Sequence, residues 1–163
     1  MVEEGFDALK VLEIAKGVER KGHAFYKEAA ESVSDQNVKS LLFTLADDEV
    51  NHLRTIEEIR KGLENAFPDL PHQAHVVNLT TRFADLLFPE APSGIRSGTS
   101  KLTEMQALER GIQLEKESIE LYESAAEKEV NPGASNAFRR LLMQERMHLF
   151  ILNQRYDVLK LRT

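Results

Sequence analysis

The chain has 163 residues, of which 42% are hydrophobic, 29% charged and 7% aromatic, and it carries a formal charge of −6. That length suits one domain with its own core, and the acidic balance argues against nucleic-acid binding, which needs clustered Lys and Arg to displace counterions from phosphates. The complete absence of cysteine excludes disulfides, iron–sulfur clusters, thiolate zinc sites and cysteine nucleophiles. No apolar run reaches the ~18 residues of a membrane span. Met1-Val2-Glu3-Glu4-Gly5 lacks the basic start and apolar stretch of a signal peptide, so a cytoplasmic protein with no membrane partner is expected.

Few Gly and Pro, and apolar residues recurring every three or four positions, predict a nearly all-α chain. The first helix is expected over about 7–33, with Asp7 as its cap and a stripe of Leu9, Leu12, Ala15, Gly22, Tyr26 and Ala29. Ser34-Asp35 breaks the pattern and offers the next cap. A second helix follows over about 36–64, carrying Leu41, Leu42, Leu45, Leu53 and Ile56. Residues 65–100 hold Pro68, Pro71, Pro89, Pro92, Gly94 and Gly98, and within them only Thr80–Phe88 reads as a short helix. The third helix is expected over about 101–129 behind Ser100. The fourth, over about 132–160, opens with Asn131-Pro132, a cap followed by a proline where a missing N–H is harmless.

Helices joined by tight turns are antiparallel, whereas a long connection can travel the length of a bundle. The expected fold is therefore a four-helix bundle of two helical hairpins, in a single domain spanning 1–163. The long crossover between helices two and three makes those two point the same way.

A shift of about 96 positions superposes the two halves. It aligns Val11-Leu12-Glu13 with Ala107-Leu108-Glu109, Glu19 with Glu115, and Tyr26 with Tyr122. It also aligns Ala29-Ala30-Glu31 with Ala125-Ala126-Glu127, Asp35 with Asn131, Glu49 with Glu145, and His52 with His148. Hairpins related in this way are expected to pack about a pseudo-twofold axis, with matched residues facing each other.

Glu49-Val50-Asn51-His52 and Glu145-Arg146-Met147-His148 are both Glu-x-x-His. On a helix, residues three apart lie one turn apart on adjoining faces, so a carboxylate and an imidazole can reach one ion. Glu19 and Glu115 add a carboxylate from each of the other helices. Each of the four glutamates falls near the midpoint of its helix, close to 20 Å from either end at 1.5 Å per residue. Groups at the midpoint share a level whichever way a helix runs, so all six can meet. Four carboxylates and two imidazoles exceed what one zinc ion takes and suit two ions of intermediate hardness, iron or manganese, bridged by carboxylates. Two divalent cations also cancel four buried negative charges that would otherwise be severely unfavourable. A single Glu-x-x-His is expected by chance roughly 0.6 times in this composition; two copies at the repeat offset, each paired with a mid-helix Glu, are not.

Tyr26 and Tyr122 lie two turns after Glu19 and Glu115 on the same faces and are candidate hydrogen-bond donors around the site, with packing as the competing role. His23, one turn beyond Glu19, is a weaker candidate because Ile119 holds its repeat position. Asp48 and Gln144 are candidates for orienting a histidine. His72 and His75 read as ordinary loop residues.

At these residues the chain resembles the rubrerythrin branch of the ferritin-like superfamily. The resemblance runs through Glu19 with Phe25-Tyr26-Lys27-Glu28-Ala29-Ala30, Leu45-Ala46-Asp47-Asp48-Glu49-Val50-Asn51-His52, Glu115 with Leu121-Tyr122, and Gln144-Glu145-Arg146-Met147-His148. It implies a ferritin-like bundle holding two Fe ions, or two Mn ions in the alternative. Glu49 and Glu145 would bridge, Glu19 and Glu115 would be terminal ligands, and His52 and His148 would bind one metal each. It further implies an oxidoreductase that reacts with peroxide or O2 in the cytoplasm, as a homodimer. Rubrerythrins proper add a rubredoxin-like domain with four cysteines; its absence here implies a separate electron-donor protein. Ser118 stands where the family places a further glutamate. The competing functions are iron storage or delivery without turnover, a di-manganese catalase-like enzyme, and a metal-free helical interaction module.

Overall fold

The computed structural model describes residues 8–66 and 102–162. Four helices account for them: α1 over Ala8–Ser32, α2 over Gln36–Ala66, α3 over Glu104–Lys128 and α4 over Pro132–Lys160. The expected Asp7 cap, the short helix over 80–88, His72 and His75 lie outside the described residues.

Local chemistry explains the helix starts. Asp35 caps α2, its Oδ1 accepting from the backbone N–H of Asn37 at 2.9 Å and Val38 at 3.0 Å. Asn131 caps α4 by accepting from Ala134 N–H, with Pro132 in the first turn, as the sequence predicts. The start of α3 differs from the expected position near residue 101. Thr103 and Gln106 form a reciprocal capping box, each side chain accepting from the other's backbone N–H, which satisfies two orphan donors and sets the first turn at Glu104.

The pairs α1–α2 and α3–α4 are the tight antiparallel hairpins; between them α1 faces α3 and α2 faces α4. One hydrogen-bond cluster sets the relative direction of the hairpins. Glu104, at the N-terminal end of α3, accepts from the backbone N–H of Ser34 and Asp35 in the α1–α2 turn, at 2.8 and 3.1 Å. The end of α1 therefore meets the start of α3, these two run antiparallel, and α2 and α3 point the same way. Backbone donors, those of Glu104, Ser34 and Asp35, hold the Glu104 carboxyl below its ordinary pKa.

The apolar stripes make two large clusters rather than one continuous core. Leu12, Ala15, Ile56, Ile59, Leu63, Tyr122, Phe138 and Leu141 belong to the first. Tyr26, Ala29, Val33, Val38, Leu42, Leu45, Leu108 and Leu152 belong to the second. Each fully buried Leu, Ile or Phe contributes about 1.5–3 kcal/mol. The gap between the clusters falls at the helix midpoints, and the charged residues occupy it.

Candidate metal centre

Glu19 on α1, Glu49 and His52 on α2, Glu115 on α3, and Glu145 and His148 on α4 are all buried, none more than 5% exposed. Ionisable residues are almost never this buried without partners. The structure brings all six together, and they fall into two overlapping sets. One set is Glu19, Glu49, His52 and Glu145; the other is Glu49, Glu115, Glu145 and His148; in each, one nitrogen or oxygen per residue lies within 4.8 Å of the others. Glu49 and Glu145 are common to both.

The two oxygens of Glu145 divide between the two histidines. Its Oε1 is 3.0 Å from His52 Nδ1 and its Oε2 is 3.2 Å from His148 Nδ1. His52 Nδ1 is also 3.1 Å from Glu19 Oε2 and 3.0 Å from Glu49 Oε2. His148 Nδ1 is 3.6 Å from Glu115 Oε1. The imidazoles lie nearly parallel, 18° apart, with centroids 5.4 Å apart. Despite these short separations, Glu49 Oε2, both Glu145 oxygens and His148 Nδ1 have no hydrogen-bond partner among the described residues. Buried polar atoms are normally hydrogen-bonded. Here they point towards shared centres rather than along each other's donor directions, and this is the arrangement a pair of cations would satisfy.

Protons supply the positive charge when no cation does. His148 is pushed up to about 10: burial alone would lower it, but Glu115 and Glu145 beside it more than compensate. His52 is raised for the same reason by Glu145, Glu19 and Glu49. Burial pushes Glu115 up to about 8 and raises Glu49 well above the carboxylate range, the latter with help from the Glu19 charge. Glu145 resists burial and drops to about 2 because both imidazoles face it.

The tyrosines cross over. Tyr26 on α1 donates to Glu115 Oε1 on α3 at 2.5 Å, and Tyr122 on α3 donates to Glu19 Oε1 on α1. Both phenols are fully buried, and burial followed by the adjacent carboxylate charge raises their pKa, so they remain donors. Sequence spacing brings each tyrosine to the site's face but does not show that it serves the opposite half's glutamate. His23 is spent elsewhere, its Nδ1–H donating to Ala46 C=O at 2.9 Å. Asp48 Oδ2 approaches His148 Nε2 at 3.4 Å, across from α2 to α4. Gln144, the other candidate orienter, is exposed.

Gly22 has a site role that its place in an apolar stripe does not reveal. A Cβ there would lie 3.2 Å from Glu49 Oε1, so the missing side chain leaves room for that carboxylate. The available signal was a glycine one turn after Glu19 in mid-helix, where it is about 1 kcal/mol worse than alanine. Its repeat partner, Ser118, is likewise buried.

Comparison with solved structures returns the same fold. A bacterioferritin-related protein from Bacteroides fragilis, described as a dodecameric thioferritin, matches with a TM-score of 0.67 at 17% identity, covering 95% of this chain and 88% of that one. A hypothetical protein from Pyrococcus furiosus matches with a TM-score of 0.60 at 18% identity, over 94% of this chain and 90% of that one. No curated protein matches in sequence. No helix among the described residues is long and apolar enough to cross a membrane. The Rubrerythrin family model matches residues 10–156; with nearly its whole length inside that match and no cysteine for a rubredoxin domain, the chain belongs to the rubrerythrin family.

Proposed function

We propose that this protein is a di-iron oxidoreductase that reduces peroxide or O2, with electrons from a separate donor protein. The observation that carries this reading is the pair of four-residue sets sharing Glu49 and Glu145. Glu19 with His52 would hold one ion, Glu115 with His148 the other, and Glu49 and Glu145 would bridge. Two iron ions bound there supply Lewis acidity and two electrons to the oxidant. The chain's own part is to hold the ligands. Tyr122 and Tyr26 fix one oxygen of each terminal glutamate, and the apolar clusters above and below keep bulk water from the layer. Iron analysis should give two ions per chain. Mixing the anaerobic Fe(II) protein with H2O2 or O2 should change the near-ultraviolet spectrum faster than free Fe(II) is oxidised; no difference from free iron refutes the reading.

A second reading, storage or delivery of iron without turnover, is favoured by the fold shared with a protein described as a dodecameric thioferritin. A specific feature of α4 bears on assembly. Met143, Met147 and Phe150, spaced along one helix face, are each more than half exposed, while the matching positions of α2 are Asp47, Asn51 and Arg54. An apolar ridge confined to one of two repeated helices supports self-association of this chain in the cytoplasm through α4, as a homodimer. Light scattering separates the two readings: a homodimer with two ions per chain supports the oxidoreductase, and a large hollow assembly loading many ions supports storage. Metal analysis after native expression distinguishes iron from the di-manganese alternative, since both accept these ligands.

A further inference from the structure

We propose that the two metal positions are built unequally, with Asp48 making the position that contains His148 the tighter one. The inference rests on the dinuclear reading above, and it follows from a place where the repeat is broken. Each histidine turns Nδ1 towards the carboxylates and Nε2 away from them. Behind His148, Asp48 Oδ2 stands 3.4 Å from Nε2. A carboxylate that close draws the Nε2–H towards itself and favours the tautomer whose Nδ1 lone pair is free; a small rotation of the Asp48 side chain completes the hydrogen bond that restrains a metal-binding imidazole.

Behind His52 the same support is missing. Its Nε2 is buried and has no hydrogen-bond partner among the described residues. The residue at Asp48's repeat position is Gln144, a neutral amide that is exposed. His52 is therefore oriented only from its inner side, by Glu19, Glu49 and Glu145. Asp48 is itself partly exposed, its side chain at 39%, so it can be replaced without opening the core. It acts as a positioning residue, through the imidazole and not on the ion.

The test is competition of Mn(II), and of Fe(II) under anaerobic conditions, against a chelator, resolving two dissociation constants. Asp48→Ala should raise the lower constant by about 10- to 100-fold and leave the higher one within about twofold, the range by which such outer partners act on metal affinity. Asp48→Glu should restore part of the loss. Gln144→Asp, which puts a carboxylate at the repeat position of Asp48, should lower the higher constant. In the Zn(II)-loaded protein, 15N NMR should show His148 protonated at Nε2 and a weakened signature of that state in Asp48→Ala. Asp48→Ala weakening both positions equally, or neither, overturns the inequality while leaving the dinuclear reading intact. Failure of the unaltered protein to bind either ion overturns both.

Discussion

Replacing Tyr122 by Phe isolates one interaction of the centre. The ring packs beside Phe138, with centroids 6.3 Å apart, and phenylalanine keeps that packing while deleting the donor to Glu19 Oε1. Tyr122 is fully buried and Glu19 is 1% exposed, so water cannot readily replace the lost hydroxyl. Hydrogen bonds to charged groups contribute about 1.5–3 kcal/mol; about 2 kcal/mol is the central expectation. At about 2–4 °C per kcal/mol for a domain of this size, Tm should fall by about 4–8 °C. Thermal and urea unfolding of the metal-free protein, followed by circular dichroism, measures this, and the denaturant m value should be unchanged because no surface is rearranged. Tyr26→Phe should show a smaller loss of about 1 kcal/mol at neutral pH, since its acceptor Glu115, raised to about 8, is protonated in the metal-free protein. A Tm change under about 1 °C in both variants would mean that the phenols only fill space, which refutes the claim that they hold the terminal carboxylates.

Three further outcomes follow from the same geometry. Glu145→Gln removes a residue whose two oxygens face different histidines, so metal analysis after dialysis should show both ions lost while the far-ultraviolet spectrum stays helical; retention of one ion contradicts a bridging role. Metal affinity should rise with pH, because the metal-free site holds about four protons at neutral pH, on His52, His148, Glu115 and Glu49, and cations must displace them. The dependence should be steepest below pH 8 and lessen by about one proton's worth of slope above it, as Glu115, raised to about 8, loses its proton unaided while His52, His148 and Glu49 keep theirs; chelator competition across a pH series checks this, and a flat profile contradicts it. Gly22→Ala should stabilise the metal-free helix by up to about 1 kcal/mol, because the new Cβ meets the Glu49 side chain, Oε1 at 3.2 Å and Cγ at 3.5 Å, and no backbone; the displaced carboxylate should weaken metal binding. Unfolding and metal titration of that one variant should move in opposite directions.

The extent of this protein that can be read along the chain follows from the helix. One residue every 100° gives each side chain a known direction about its own axis and a known depth along it. Glu19, Glu49, Glu115 and Glu145 could therefore be placed at one level, and the repeat indicated that their halves would face each other. Asn131-Pro132 and Asp35 marked helix starts for an equally local reason, since a cap acts within three residues. The start of α3 was misplaced by three residues because Ser100 and Thr103 are both capable caps, and only the reciprocal bond with Gln106 separates them.

What lies between helices was decided by packing. Periodicity states that Tyr26 faces inward, but not that it crosses to Glu115 while Tyr122 crosses to Glu19. It does not divide the Glu145 oxygens between His52 and His148, nor reveal that Glu49 needs the space Gly22 leaves. Nor does it seat Asp48 behind His148 while Gln144 stays in solvent. A linear pattern records the angle and height of each group on its own rod. Distances of 3 Å between rods depend on how far apart they sit and how they are rotated against one another, and those quantities exist only once the apolar clusters have closed.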